Sequence, residues 1–189
     1  MDAFWPGPFT IILNKKKGIA NVATYGGETD IGIESTVVRV VNDEVKILRP
    51  GKITKEDIEK VMTHVAIDKN VMGEISSGEK VLSPGMKYRH YAPETHCKLV
   101  YSTNTEKMKN EIIKIANQTI SRKVLILTFT EDLEFYEQYQ CLNMGSRNNL
   151  NEMSHNIFSL LRKIDEYQVD LAVIEGIEPS GLGLAIMNR

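Results

Sequence analysis

Cysteine is nearly absent from this chain of 189 residues: Cys97 and Cys141 are the only two. They stand far apart and without metal-ligand spacing, which rules out a disulfide-stapled scaffold and leaves two idle thiols as the reading, ahead of a disulfide. No apolar run reaches membrane-spanning length, and the opening residues carry no signal-peptide pattern, so the expected location is the cytoplasm and no membrane partner is expected. Neither sign of charge dominates. Lys and Arg number 23 against 25 Asp and Glu, a net charge of −2 that gives no global field for nucleic acid. His64, His90, His96 and His155 show no His-x-x-x-His or Cys-x-x-Cys pattern, which leaves no metal site to expect. Internal repeats and low-complexity tracts are missing too, as is any Ser-His-Asp or Cys-His signature of a protein nucleophile. What remains is an ordinary globular composition, 42% hydrophobic and 25% charged, enough for one large domain or two small ones.

The chain changes character along its length. Residues 1–65 read as β-rich and end in one helix, with Thr54 as N-cap, Asp57 at the third helical position, an Ile53–Ile58 staple, and an apolar stripe of Ile58, Val61, Met62 and Val65. Residues 66–95 read as a linker rich in Gly, Ser and Pro. From 96 to 189, strands at Lys98–Ser102, Val124–Phe129 and Leu171–Glu175 alternate with two amphipathic helices. The first helix carries Met108, Ile112, Ile115 and Ala116 on one face behind a Thr103/Glu106 capping box. The second carries Leu150, Met153, Ile157, Leu160, Leu161 and Ile164. Strand–helix alternation predicts a parallel, Rossmann-like α/β sheet, with those stripes as core.

Two segments carry chemistry. Ile33–Val38 runs into a turn at Asn42-Asp43 and returns through Val45–Arg49, a hairpin with Ser35 and Arg49 near one end. Such a pair offers a hydroxyl and a guanidinium to one ligand, although for a Ser and an Arg taken alone surface decoration is the default reading. In Ser83–Pro93 two prolines and Gly85 bar helix formation and gather Lys87, Arg89, His90, Tyr88 and Tyr91. Cations and phenols suit a phosphate and a flat base; a solvated linker is the alternative. Other signals fall away. Gly73–Lys80 spells most of a P-loop, but Glu79 stands where the lysine belongs. Gly181-Leu182-Gly183 lacks the third glycine of a dinucleotide fingerprint and starts a helix instead. Lys15–Lys17 reads as a solvated turn, and Glu28, Asp30 and Glu34 as loop carboxylates with no specific metal role.

The strings FWPGPFTIIL (Phe4–Leu13), GIESTVVRV (Gly32–Val40), ILRPGKIT (Ile47–Thr54) and SPGMKYRHYAP (Ser83–Pro93), in this order, resemble the threonylcarbamoyl-AMP synthase family of the two-domain Sua5 type. HNIFSLLRKID and GIEPSGLGLAIMNR extend the likeness to the end of the chain. The resemblance implies a partial YrdC-like α+β domain joined by the linker to a Rossmann-like α/β domain. It also implies synthesis of L-threonylcarbamoyladenylate from L-threonine, bicarbonate or CO2, and ATP with Mg2+, releasing pyrophosphate. The product serves downstream tRNA-modification proteins at adenosine 37. Ser35 is expected to contact L-threonine and Arg49 the ATP, with Tyr88, Arg89, His90 and Tyr91 covering the nucleotide. Association with double-stranded RNA is a further implication of YrdC-like domains, one that the net charge does not support.

Against the family pattern, this chain lacks the PTET.YGLG region, a Lys-x-Arg pair, the TVAVR strand and the PSAN.SG motif. The expectation is therefore a truncated and internally deleted member. Its alternative function is that of a catalytically inactive remnant whose α/β domain still binds a nucleotide or a partner.

Overall fold

A computed structural model describes residues 7, 9–12, 33–71, 92–118 and 123–189. The protein divides into two compact units, one carrying the described residues up to 71 and one carrying residues 92–187.

The first unit is a four-stranded mixed sheet in the order β1-β2-β3-β4, built from β1 (Phe9–Ile12), β2 (Thr36–Val41), β3 (Glu44–Arg49) and β4 (His64–Ile67). β2 and β3 form the expected hairpin. Asn42 and Asp43 turn it with φ of 50° and 61°, the left-handed pair that a two-residue loop requires for its twist to match the strands. β1 and β4 flank the hairpin, each in parallel register. Val38, Val45, Ile47 and Ile58 are its buried core, with Ile53, Met62 and Val65 packed against them.

Thr54 caps α1 (Lys55–Glu59) as the sequence predicts. Its hydroxyl accepts from the Asp57 amide at 3.2 Å, and the Asp57 carboxylate accepts from the Thr54 amide at 3.2 Å. The predicted stripe is corrected. The helix closes after five residues, Val61 is 52% exposed, and Val65 lies in β4. Four apolar residues at near-helical spacing also fit one short turn followed by an edge strand, and pairing with β3 decides the matter.

The second unit is a four-stranded, fully parallel sheet in the order β5-β8-β6-β7: β5 (His96–Val100), β6 (Val124–Thr128), β7 (Gln140–Asn143) and β8 (Leu171–Glu175). This is the Rossmann-like α/β arrangement. Ile126, Leu171 and Val173 meet Met108, Ile112 and Ala116 of α2 (Thr105–Gln118) in one core cluster. The alternate positions Leu125, Leu127 and Ala172 are just as buried, as expected where helices cover both faces of a parallel sheet. In α3 (Leu150–Glu166) the predicted stripe is buried at Met153, Ile157, Leu160, Leu161 and Ile164. α4 (Gly181–Met187) starts at the Gly-Leu-Gly turn.

Two details differ from expectation. The α2 cap is Asn104, whose side chain accepts from the Lys107 amide at 2.9 Å, and not the Thr103/Glu106 box. β7 is an unforeseen edge strand reached through two short 3-10 turns, Thr130–Asp132 and Glu134–Tyr136. Among the described residues no helix is long and apolar enough to cross a membrane. Cys97 and Cys141 are not joined in a disulfide, and burial raises the pKa of Cys141.

Candidate functional site

Ser35 and Arg49 meet because of how the hairpin is closed. Val37 pairs with Arg49, and the register shifts between Val37 and Val38, an irregularity that re-aims the start of β2. Pro50-Gly51 then folds back onto the segment ahead of β2. A Cβ on Gly51 would lie 2.5 Å from the Thr36 amide nitrogen and 2.8 Å from the Ser35 carbonyl carbon, with the Glu34 carbonyl oxygen closer still. Only glycine lets the two backbones approach so closely. Thr36, fully buried, donates its hydroxyl to the Ile53 carbonyl at 2.7 Å and ties the same segment to the entry of α1.

The guanidinium of Arg49 is thereby wrapped around Ser35. Its Nε and Nη2 donate to the Ser35 carbonyl at 3.2 and 3.1 Å, and Nη2 also donates to Ser35 Oγ at 3.2 Å. Nη1 faces the Glu34 carboxylate at 3.2 Å; the arginine side chain is 13% exposed and the glutamate 35%. Thr10 Oγ1 lies 3.1 Å from Ser35 Oγ, bringing β1 into the cluster. The arrangement presents a serine hydroxyl whose lone pair is engaged by a cation, beside a carboxylate–guanidinium pair at the open end of the central hairpin.

Two of the six expected site residues are thus brought together. Tyr88, Arg89, His90 and Tyr91 lie outside the described residues, as do Glu28, Asp30, Lys15–Lys17 and the Gly73–Lys80 segment. The sequence reading missed Thr10 and the grip of Glu34 on Arg49. Thr10 lies 25 residues from Ser35, and only the parallel pairing of Phe9 with Thr36 makes them neighbours.

A second polar cluster, with no sequence signal, sits at the carboxyl ends of β6 and β8. The Glu175 side chain is wholly buried and accepts from Thr128 Oγ1 and, at 2.8 Å, from Arg147 Nη2. The same Nη2 donates to Asp132 at 2.5 Å, and Lys109 also bonds Asp132. Burial raises the pKa of Glu175, and its bonds to Thr128 and Arg147 offset this only in part. Burial works the same way on Asp132, but the bonds from Lys109 and Arg147 prevail and hold its carboxyl below the usual range.

A family model described as "Threonylcarbamoyl-AMP synthase, C-terminal domain" matches residues 53–189. The chain belongs to the threonylcarbamoyl-AMP synthase family. It is 38% identical over 164 residues to the threonylcarbamoyl-AMP synthase of Bacillus subtilis, covering 87% of this chain and 46% of that protein. It is 36% identical over 170 residues to the protein of the same name from Pyrococcus abyssi, with the same coverage. The crystal structure of P. abyssi Sua5 complexed with L-threonine superposes on 87% of this chain and 46% of that one, with a TM-score of 0.68 and 36% identity. The chain therefore spans about half the length of the relatives it matches.

Proposed function

We propose that the chain takes part in synthesis of L-threonylcarbamoyladenylate from L-threonine, bicarbonate or CO2, and ATP, with release of pyrophosphate, for modification of adenosine 37 in tRNA. The observation that supports this reading best is the direct contact of Ser35 with Arg49. It sets a hydroxyl fit for a threonine and a cation fit for a triphosphate within one hydrogen bond of each other. Transfer of a carbamate oxygen to the α-phosphorus is an in-line displacement, in which positioning and charge neutralisation supply most of the catalysis and no protein nucleophile is required.

In this reading Ser35 orients L-threonine, and Arg49 exchanges its Nη1 contact with Glu34 for a phosphate oxygen. Mg2+ arrives on the triphosphate as part of the substrate. Tyr88, Arg89, His90 and Tyr91 belong to the nucleotide-binding set, and the protein acts in the cytoplasm alongside the tRNA-modification proteins that use its product.

One observation favours a second reading. The nitrogens of Arg49 already hold the Ser35 carbonyl and Glu34, which is also how an arginine acts as a purely structural clamp. A chain of that kind binds nucleotide or a partner without turnover.

Pyrophosphate release from the purified chain with ATP, L-threonine, bicarbonate and Mg2+ separates the two. Threonine-dependent release lost in Arg49→Ala supports the synthase. ATP binding without release supports the second reading. In either case Arg49→Ala should weaken ATP by roughly 1.5–3 kcal/mol if the guanidinium makes a charge-assisted contact with the nucleotide; equal affinity in the variant removes Arg49 from the site.

A further inference from the structure

The Arg147 cluster lies away from Ser35 and Arg49 in sequence and in a different compact unit, and the proposed reaction makes no use of it. Its place in the fold is suggestive. Glu175 ends β8 and Thr128 ends β6, adjacent central strands of a parallel sheet, and open α/β sheets bind ligands outside the carboxyl ends of their strands. Three features at this edge point to a ligand and to its charge.

The first is the economy with which Arg147 is held. Both of its carboxylate partners share the single nitrogen Nη2. Among the described residues Nε and Nη1 make no hydrogen bond, and the side chain keeps 30% of its surface open. The guanidinium carbon lies 4.2 Å from the centre of the Phe129 ring, a cation–π contact that backs the group while that edge stays unused. Such an edge matches the two oxygens of a carboxylate or a phosphate. Second, Tyr136 is fully buried and its hydroxyl has no partner. Tyr136 shares a core cluster with Ile126 and Val173, which precede Thr128 and Glu175 by two residues in the same strands and so lie on the same face of the sheet as the polar cluster; burial first, then the two carboxylates, raise its pKa. A buried hydroxyl without a partner is costly, and an acceptor supplied from outside removes that cost. Third, Arg147 stands two residues before Asn149, the N-cap of the 17-residue α3, where the helix dipole favours negative charge. The neighbouring donors, the Ser146 hydroxyl and the Arg147 amide, are already taken by Glu131, so the grip falls to the side chains.

We propose that the carboxyl edge of the second sheet is a binding site for a small oxyanion, a carboxylate or a phosphate, taken by the Nε–Nη1 edge of Arg147 with Tyr136 as the inner donor. Asp132 and Glu175 orient the arginine, and Lys109, held by Asp132 and 4.9 Å above the Phe135 ring, adds the second positive charge.

The test is a titration of the 15N-labelled full chain with inorganic phosphate and, separately, with acetate, at ionic strength held constant with chloride. Saturable shifts are expected at the Thr128, Gly145 and Arg147 amides and at Arg147 Nε. Saturation by phosphate alone assigns the site to phosphates, and saturation by acetate at similar concentration assigns it to carboxylates. Arg147→Lys, which keeps the charge and loses the fork, should weaken binding about tenfold. Tyr136→Phe should weaken it several-fold while the thermal midpoint holds or rises, because the orphan hydroxyl is gone. Arg49→Ala should leave these shifts unchanged, which separates them from phosphate taken up at the hairpin. No saturable shift with either anion overturns the proposal, and so does unaltered affinity in Arg147→Lys or in Tyr136→Phe.

Discussion

Each unit of this protein holds one arginine against a carboxylate, and the two clusters are built differently. Arg49 is gripped by its immediate surroundings: a carbonyl and hydroxyl from one residue, Ser35, and the carboxylate of the residue before it, Glu34. Glu34 is 35% exposed, so water solvates it when the arginine is absent. Arg147 is held by carboxylates from two distant elements, and one of them, Glu175, has no contact with water at all. A pair backed by solvent tolerates loss of a partner, whereas a pair sealed from it does not. The first arrangement suits a residue that changes partners during a reaction, and the second suits one whose orientation is set before any ligand arrives.

That contrast predicts an order of effects. Arg147→Ala leaves Glu175 buried without its cation and should cost the most, about 3 kcal/mol after allowing for the partial exposure of the arginine, read by urea unfolding. Adding Glu175→Gln should recover much of the loss, since the amide carries no buried charge. If both variants lose equally, the pair is not the reason. Gly51→Ala forces a Cβ into the backbone of Glu34–Thr36 and should cost roughly 1–3 kcal/mol, with any ATP or L-threonine binding falling alongside. Normal binding in a destabilised Gly51→Ala would separate the hairpin closure from the site. Arg49→Ala should cost only about 1–2 kcal/mol of stability, because Glu34 relaxes into water. A loss equal to that of Arg147→Ala would erase the distinction between the clusters.

The smallest effect concerns Asp165, near the carboxyl end of α3. Its carboxylate accepts from the Thr95 amide at 3.0 Å, the Thr95 hydroxyl at 2.8 Å and the Glu94 amide at 3.2 Å. These bonds, the Thr95 amide foremost, hold its pKa below the ordinary 3.8. A depressed carboxylate pKa stabilises above the unfolded-state value and loses that contribution as pH falls through the folded-state value. Asp165→Asn should therefore be less stable than the parent at neutral pH by about 1 kcal/mol or less, and the gap should close below pH of roughly 3.8. A gap that persists in acid would show that hydrogen-bond shape matters there and charge does not.

Legibility followed range of interaction. The Asn42-Asp43 turn, the Thr54 cap and the α3 stripe rest on contacts within a few residues, and all three stand as the sequence predicts. The Ser35–Arg49 meeting was also readable, because a two-residue turn sets which ends of a hairpin come together. β4 and β7 were not. Each is a four-residue edge strand, too short for an alternation pattern, and each exists through pairing with a neighbour. Thr10 and the Arg147 cluster went unread for the same reason. Lys109, Thr128, Asp132, Arg147 and Glu175 span 67 positions in four segments, with no spacing that marks them as a group.

By itself the sequence determined the family, the alternation of strands with amphipathic helices, and the hairpin that sets a serine beside an arginine, because motif order, periodicity and turn chemistry are local properties. The tertiary structure alone decided which carboxylate each arginine would hold, which glycine had to stay a glycine, and where a tyrosine would be left without a partner. Those outcomes depend on strand order and on exclusion of water, and neither is written in any short stretch of the chain.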